Sequence, residues 1–225
     1  MNKKDIDIVA EILAEILSEK GLVKPENNDF TVPIGISNRH IHLSRKDLDT
    51  CFGEGYELTP MKDLSQPGQY ASKETMLVCG PKGVIENVRI LGPIRKDTQV
   101  ELLAGDNFKL GIKAPLRLSG DIEGSAPVTL IGPKASVNIE KGAMIAKRHI
   151  HMTTEDAKNY GVHDGQIVSV EIDGERGGRI DNVIIRANDK SKLDFHIDTE
   201  EANALGIVNG TVGRIIMLDF FGGQE

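Results

Sequence analysis

Basic excess is the first thing this chain lacks: 27 Lys and Arg stand against 34 Asp and Glu, a net charge of −7. That balance argues against broad contact with nucleic acid, whose phosphates attract basic surfaces. Cysteine is scarce too. Cys51 and Cys79 have no CxxC spacing and no evident base partner, so both read as packing residues. No secretory pattern and no apolar run long enough to span a bilayer is found, and the expected location is the cytoplasm. Tryptophan is absent and aromatics make up 4%, whereas 24 Gly and 9 Pro favour turns and short strands over long helices.

What is present begins with an amphipathic segment. Ile8, Val9, Ile12, Leu13, Ile16 and Leu17 recur at helical spacing, with acidic residues between them, which predicts a helix within residues 1–24. It reads either as a helix packed on its own domain or as a detachable docking helix. Residues 25–31 read as a linker. Beyond it come short β-type runs such as Val32 to Ile36, Val84 to Leu91, Val128 to Ile131, Ile167 to Ile172 and Arg179 to Arg186. Asp173-Gly174 reads as a hairpin turn. Barrels or sandwiches are expected.

An internal repeat decides the organisation. Arg39-His40-Ile41-His42-Leu43-Ser44 returns as Arg148-His149-Ile150-His151-Met152-Thr153. Each copy is followed by a capping-box pattern, Ser44 with Asp47 and Thr153 with Asp156. Two domains of one architecture are therefore expected, over residues 32–118 and 119–220, with exchange of strands between them allowed. Sliding Val88 to Ile112 onto Val183 to Ile207 without a gap places Glu101 opposite His196. The extra length of the first half falls at Thr59 to Lys73.

On a strand, residues i and i+2 share a face, so the imidazoles of each HxH can converge on one ion. A third ligand from a later strand leaves a coordination position open, as in catalytic zinc sites. One site is expected at His40, His42 and Glu101, another at His149, His151 and His196. His163 reads as a loop residue. Arg39 and Arg148 read either as contacts to phosphate or to the ligands, or as structural ion-pair partners. Arg95, six residues before Glu101, suits bidentate phosphate binding, with a solvated loop charge as the bland alternative. The Ser119-Gly120 turn is a candidate backbone anion site, or simply the turn that joins the domains.

The two RHIH motifs, the LGPIR segment with Glu101 after it, APLRLSG at the junction and FHIDTEEANALG near the end resemble the PduL-type phosphate propanoyltransferases. The likeness runs from about Val32 to Leu218. It implies a mainly β protein of two β-barrel domains capped by short helices, with two zinc ions at their junction. It also implies transfer of a short acyl group, propanoyl foremost, reversibly between coenzyme A and phosphate. Carried over by motif, the zinc ligands fall on the same two triplets and the phosphate-binding arginine on Arg95. The N-terminal helix resembles an encapsulation peptide for a bacterial microcompartment with its shell proteins, and a homodimer fits the family. No Ser, Cys or Lys sits in an evident activated arrangement, so phosphate is expected to attack the thioester directly. The glutamate-containing site is the candidate for the CoA thiolate and the all-histidine site for phosphate or water. Competing readings are a cupin-like metalloenzyme, a thioester hydrolase and a non-catalytic microcompartment scaffold.

Overall fold

The computed structural model describes residues 30–217. The helix expected within residues 1–24 and most of the linker lie outside them. The described strands belong to one compact unit beginning at Thr31. Among the described residues no helix is long and apolar enough to cross a membrane.

In chain order the elements are β1 (Thr31–Ser37), β2 (His40–His42), α1 (Arg45–Phe52), β3 (Pro60–Asp63), β4 (Tyr70–Cys79), β5 (Val84–Gly92), β6 (Gln99–Leu102), α2 (Asp106–Leu110) and β7 (Leu116–Arg117). They continue as β8 (Ala126–Ile131), β9 (Ser136–Ala146), β10 (His149–Met152), α3 (Thr154–Tyr160), β11 (Ile167–Ile172), β12 (Gly178–Ala187), β13 (Asp194–Asp198), α4 (Thr199–Ala204) and β14 (Val212–Ile216). The protein is mainly β, as expected. One barrel runs β1-β13-β10-β12-β11-β14 and closes from β14 back to β1. The other runs β4-β5-β2-β6-β9 and closes through β8, which pairs with both β9 and β4. Closure satisfies both edges of every strand in the ring, and so leaves no template for unwanted pairing.

Strands of the two barrels lie on both sides of the expected boundary between residues 118 and 119. β8 and β9 lie in the first barrel, where Val128 and Leu130 enter its core, while β1 completes the second, burying Val32 and Ile34 there. Alternation of apolar residues tells a strand which face to bury but not which of two similar barrels will accept it. The Thr59 to Lys73 insertion holds β3, paired outside the first ring against β4, and a loop that returns below.

Local chemistry explains the short helices. Thr153 accepts the Asp156 N–H and Asp156 returns a bond to the Thr153 N–H, a complete capping box at α3. At α1, Ser44 accepts the Asp47 N–H, but the Ser44 N–H goes to Thr98 Oγ1 at 2.9 Å instead. The expected hairpin turn at Asp173-Gly174 lies within residues 173–177, which join antiparallel β11 and β12. Each barrel fills with apolar side chains, Ile41, Met76 and Ile90 in one and Ile150, Val170 and Phe195 in the other. Burying each stabilises the fold by about 1.5–3 kcal/mol. Ile41 and Ile150 are the central residues of the two HxH units and are fully buried. Their insertion turns the flanking histidines to the opposite face.

Candidate metal centre

β1 ends in the second barrel at Ser37 and β2 begins in the first at His40. β9 ends in the first at Ala146 and β10 begins in the second at His149. The chain therefore crosses between barrels twice, in opposite directions, through Asn38-Arg39 and Lys147-Arg148. Each HxH is the first thing met after a crossing, which brings both to the junction.

The third members arrive by ladder pairing. β2 pairs antiparallel with β6 so that His40 faces Glu101, and β10 pairs antiparallel with β13 so that His149 faces His196. The gap-free register read from sequence is thus the register of the two barrels. In each triplet, one ligand-capable atom per residue lies within 4.8 Å of the others. His149 Nε2 is 3.2 Å from His151 Nε2, and His40 Nε2 is 3.4 Å from Glu101 Oε2. Rings meet edge to face, at 88° for His40 and His42 and 86° for His149 and His151.

The crossing residues also orient the rings. His40 Nδ1 lies 2.8 Å from the Asn38 carbonyl and His149 Nδ1 2.8 Å from that of Lys147. A carbonyl only accepts, so each Nδ1 carries a proton and each Nε2 is turned toward the centre. Arg39 and Arg148 are ion-pair partners: Arg39 Nε binds Asp106 at 2.9 Å, and Arg148 pairs with Glu201. Those acids bond the N–H groups of Leu103 and Asp198 that close the third-ligand strands.

Burial and neighbouring charges set the protonation of these groups. Burial, then the neighbouring His196, hold His149 at about 4. Burial, then His149 and His196, hold His151 at about 3. Burial, with the charges of His40 and Arg95, also keeps His42 well below its ordinary value. Burial would lower His40 and raise Glu101. Their mutual attraction wins, raising His40 and holding Glu101 well below the usual carboxylate range.

Both triplets line one cavity of about 530 Å³, within the range of small-molecule sites. Lys62, Ser65 and Gln66 from the insertion form one wall. Arg95 is half-buried, does not line the cavity, and reaches its edge through Ser119: Nη1 donates to Ser119 Oγ at 3.1 Å. The backbone anion site expected at Ser119-Gly120 is corrected, because the Gly120 N–H is taken by Gln99 Oε1 at 2.7 Å. Ser119 contributes its hydroxyl to the wall instead. His163 is exposed, and neither cysteine lines the cavity.

Sequence reasoning missed Gln99, Asp194 and Arg186. Gln99 Nε2 donates to Glu101 Oε1 at 2.6 Å, and Asp194 Oδ2 lies 2.8 Å from His196 Nε2. Each sits two residues before the third ligand, and the period-two rule would have found it. Arg186 pairs in register with His151 and lines the cavity. Its first-half counterpart is apolar Leu91, so the repeat gave no signal.

A family model for phosphate propanoyltransferase matches residues 33–208. Among curated proteins, the phosphate propanoyltransferase of Thermotoga maritima is 55% identical over 184 residues, 81% of this chain and 88% of the relative. That of Rhodobacter capsulatus is 50% identical over 92% of this chain and 96% of its own length. That of Clostridioides difficile is 47% identical over 93% and 98%.

Proposed function

Since the chain belongs to the phosphate propanoyltransferase family, and is thus an acyltransferase, we propose that its junction cavity moves a propanoyl or similar short acyl group reversibly between coenzyme A and phosphate, with two zinc ions resident. The observation that carries this is the pair of three-ligand groups on one cavity. Three protein donors with an open side suit a catalytic metal. The donors fit zinc chemically. The lowered pKa values of His42, His149 and His151 and the ionised Glu101 favour the protonation states a metal requires. His40, His42 and Glu101 would hold the first ion, and His149, His151 and His196 the second. When bound, such ions supply fixed positive charge for a developing oxyanion and a departing thiolate.

The chain's own residues position the phosphate. From the cavity edge, Arg95, anchored by Ser119 and by its N–H to the Leu43 carbonyl at 2.9 Å, is a phosphate ligand. Burial lowers its pKa, and the charge of Arg186 lowers it further. An anion between two such guanidiniums relieves that repulsion, which supports Arg186 as a second contact. The insertion wall limits water near the thioester, favouring phosphate as the attacking group.

Direct attack is favoured over an acyl-enzyme. Ser65, His196 and Asp194 resemble a hydrolase triad by composition only. Ser65 Oγ at 3.4 Å and Asp194 Oδ2 at 2.8 Å both meet the same ring nitrogen, Nε2. A working relay needs them on opposite nitrogens. In the forward step a phosphate oxygen bonds to the acyl carbon as the carbon–sulfur bond breaks and CoA leaves as thiolate. Residues 1–24 serve as an encapsulation peptide for a microcompartment, and the enzyme works as a homodimer.

The decisive experiment is CoA release from acetyl, propanoyl and butanoyl thioesters, with and without phosphate, with zinc measured on the same samples. Phosphate-dependent release with about two zinc ions per chain is expected. Full activity in metal-free enzyme, or free acid made without phosphate, overturns the reading. Ping-pong kinetics would overturn direct attack. Deleting residues 1–24 should abolish localisation to the compartment and spare catalysis.

A further inference from the structure

Glu101, Asp106 and Asp194 are the three buried acids among the described residues. Asp106 has Arg39, and Glu101 belongs to the first triplet. Asp194 has no such assignment. It is 4% exposed, its Oδ2 lies 2.8 Å from His196 Nε2, and it stands opposite His151 in the β10–β13 ladder. A buried carboxylate is costly unless hydrogen bonds and positive charge balance it.

The repeat explains why an acid is there. In the shared register Gln99 is to Glu101 what Asp194 is to His196, since both pairs sit two residues apart on equivalent strands. Each half thus carries one carboxylate at one of the same two positions and an amide or imidazole at the other, in opposite order. The first half puts its acid at the third-ligand position with an amide behind it. The second puts an imidazole there with the acid behind it.

We infer that Asp194 is a positioning and charge-balancing residue of the second zinc site, holding His196 and supplying the negative charge that Glu101 supplies directly in the first. The inference rests on the two-zinc reading. The neighbouring strand is shaped to admit it. Gly35 pairs with His196 on β1, and a Cβ at Gly35 would stand 2.8 Å from Asp194 Oδ2 and 3.0 Å from Oδ1. The equivalent place beside Glu101 holds Met144, so the glycine answers to the acid and not to the repeat.

The test is zinc stoichiometry and affinity, by chelator competition, on the full chain and on Asp194→Asn, Asp194→Glu and Gly35→Ala. Asp194→Asn keeps the shape and a hydrogen-bonding group but loses the charge. It should weaken one of the two ions on the order of tenfold to a hundredfold and leave the other unchanged. In a His149→Ala background, where only the first ion remains, it should do nothing. Asp194→Glu should retain affinity, and Gly35→Ala, which displaces the carboxylate without discharging it, should fall between. Should Asp194→Asn fail to fold, the Gly35→Ala affinity decides. Equal affinities for both ions in the variants and wild type, even with a lowered thermal midpoint, overturn the inference and leave the two-zinc reading standing. A wild-type chain that binds no zinc overturns both.

Discussion

The first triplet is closed by a glutamate and the second by a histidine, yet both are built by the same crossing, the same ladder and the same carbonyl-oriented first imidazole. Scaffold and charge have therefore been separated. The repeat holds geometry constant while substitution at one position changes the electrostatics: burial, then neighbouring imidazoles, lowers His149 and His151, and burial lowers His42 too, whereas at His40 the carboxylate neighbour outweighs burial and raises it. Two unequal centres on one cavity suit a reaction with two unequal partners, a departing thiolate and an attacking phosphate.

The harshest way to break the comparison is to empty one half. His149→Ala or His196→Ala should remove one zinc and lower kcat by about three orders of magnitude, since a Lewis-acidic ion contributes several kcal/mol; metal analysis and initial rates check both together. Loss of the metal with activity intact would reduce the second half to a brace. Next, Glu101→His would make the two ligand triplets alike. Zinc content should persist while kcat falls on the order of a hundredfold, because the charge at the first centre changes. Unchanged kcat would mean that the inequality has no catalytic meaning.

Arginine distinguishes the halves more gently. Arg95→Ala should raise the phosphate KM by roughly tenfold to a hundredfold, the loss of a charge-assisted contact, with little change in the KM for acyl-CoA. An unchanged phosphate dependence would remove Arg95 from the site. The smallest effect is one of pH on metal-free protein. Folded His149 and His151 take up protons only near 4 and 3, against an ordinary 6.5. Between those values the unfolded chain binds more protons, so stability rises with pH there and is lost as pH falls from 6.5 toward 4. His40 carries the opposite sign: its raised pKa contributes stability at low pH that disappears as pH rises through the folded value. Thermal midpoints across this range should therefore fall less in His149→Ala than in wild type.

Much of the centre was legible because period-two alternation and a gap-free repeat are properties of adjacent residues. His40, His42 and Glu101, and His149, His151 and His196, follow from those two rules alone. What escaped depends on three-dimensional closure. Val32 and Ile34 show the alternation of a buried strand in either barrel, so β1 could not be assigned to the second. The Gly120 N–H looked free until Gln99 was seen to occupy it. The 59–73 insertion read as surplus length, yet Gln66 exchanges two hydrogen bonds with the backbone of Lys192, at 2.9 and 3.2 Å, and so fixes a wall of the cavity across the junction.

The reciprocal crossing also imposes an order of events on the ribosome. Residues 40–146 hold every strand of the first barrel and a complete ligand triplet. β1, made before any of them, pairs only with β13 and β14, made last. During synthesis, which proceeds from the N-terminus at about 5–20 residues per second, the oldest strand must wait for the youngest. A nascent chain can thus assemble one candidate ligand triplet well before the other exists. A circular permutant with β1 moved behind β14 would make both barrels contiguous and abolish that wait.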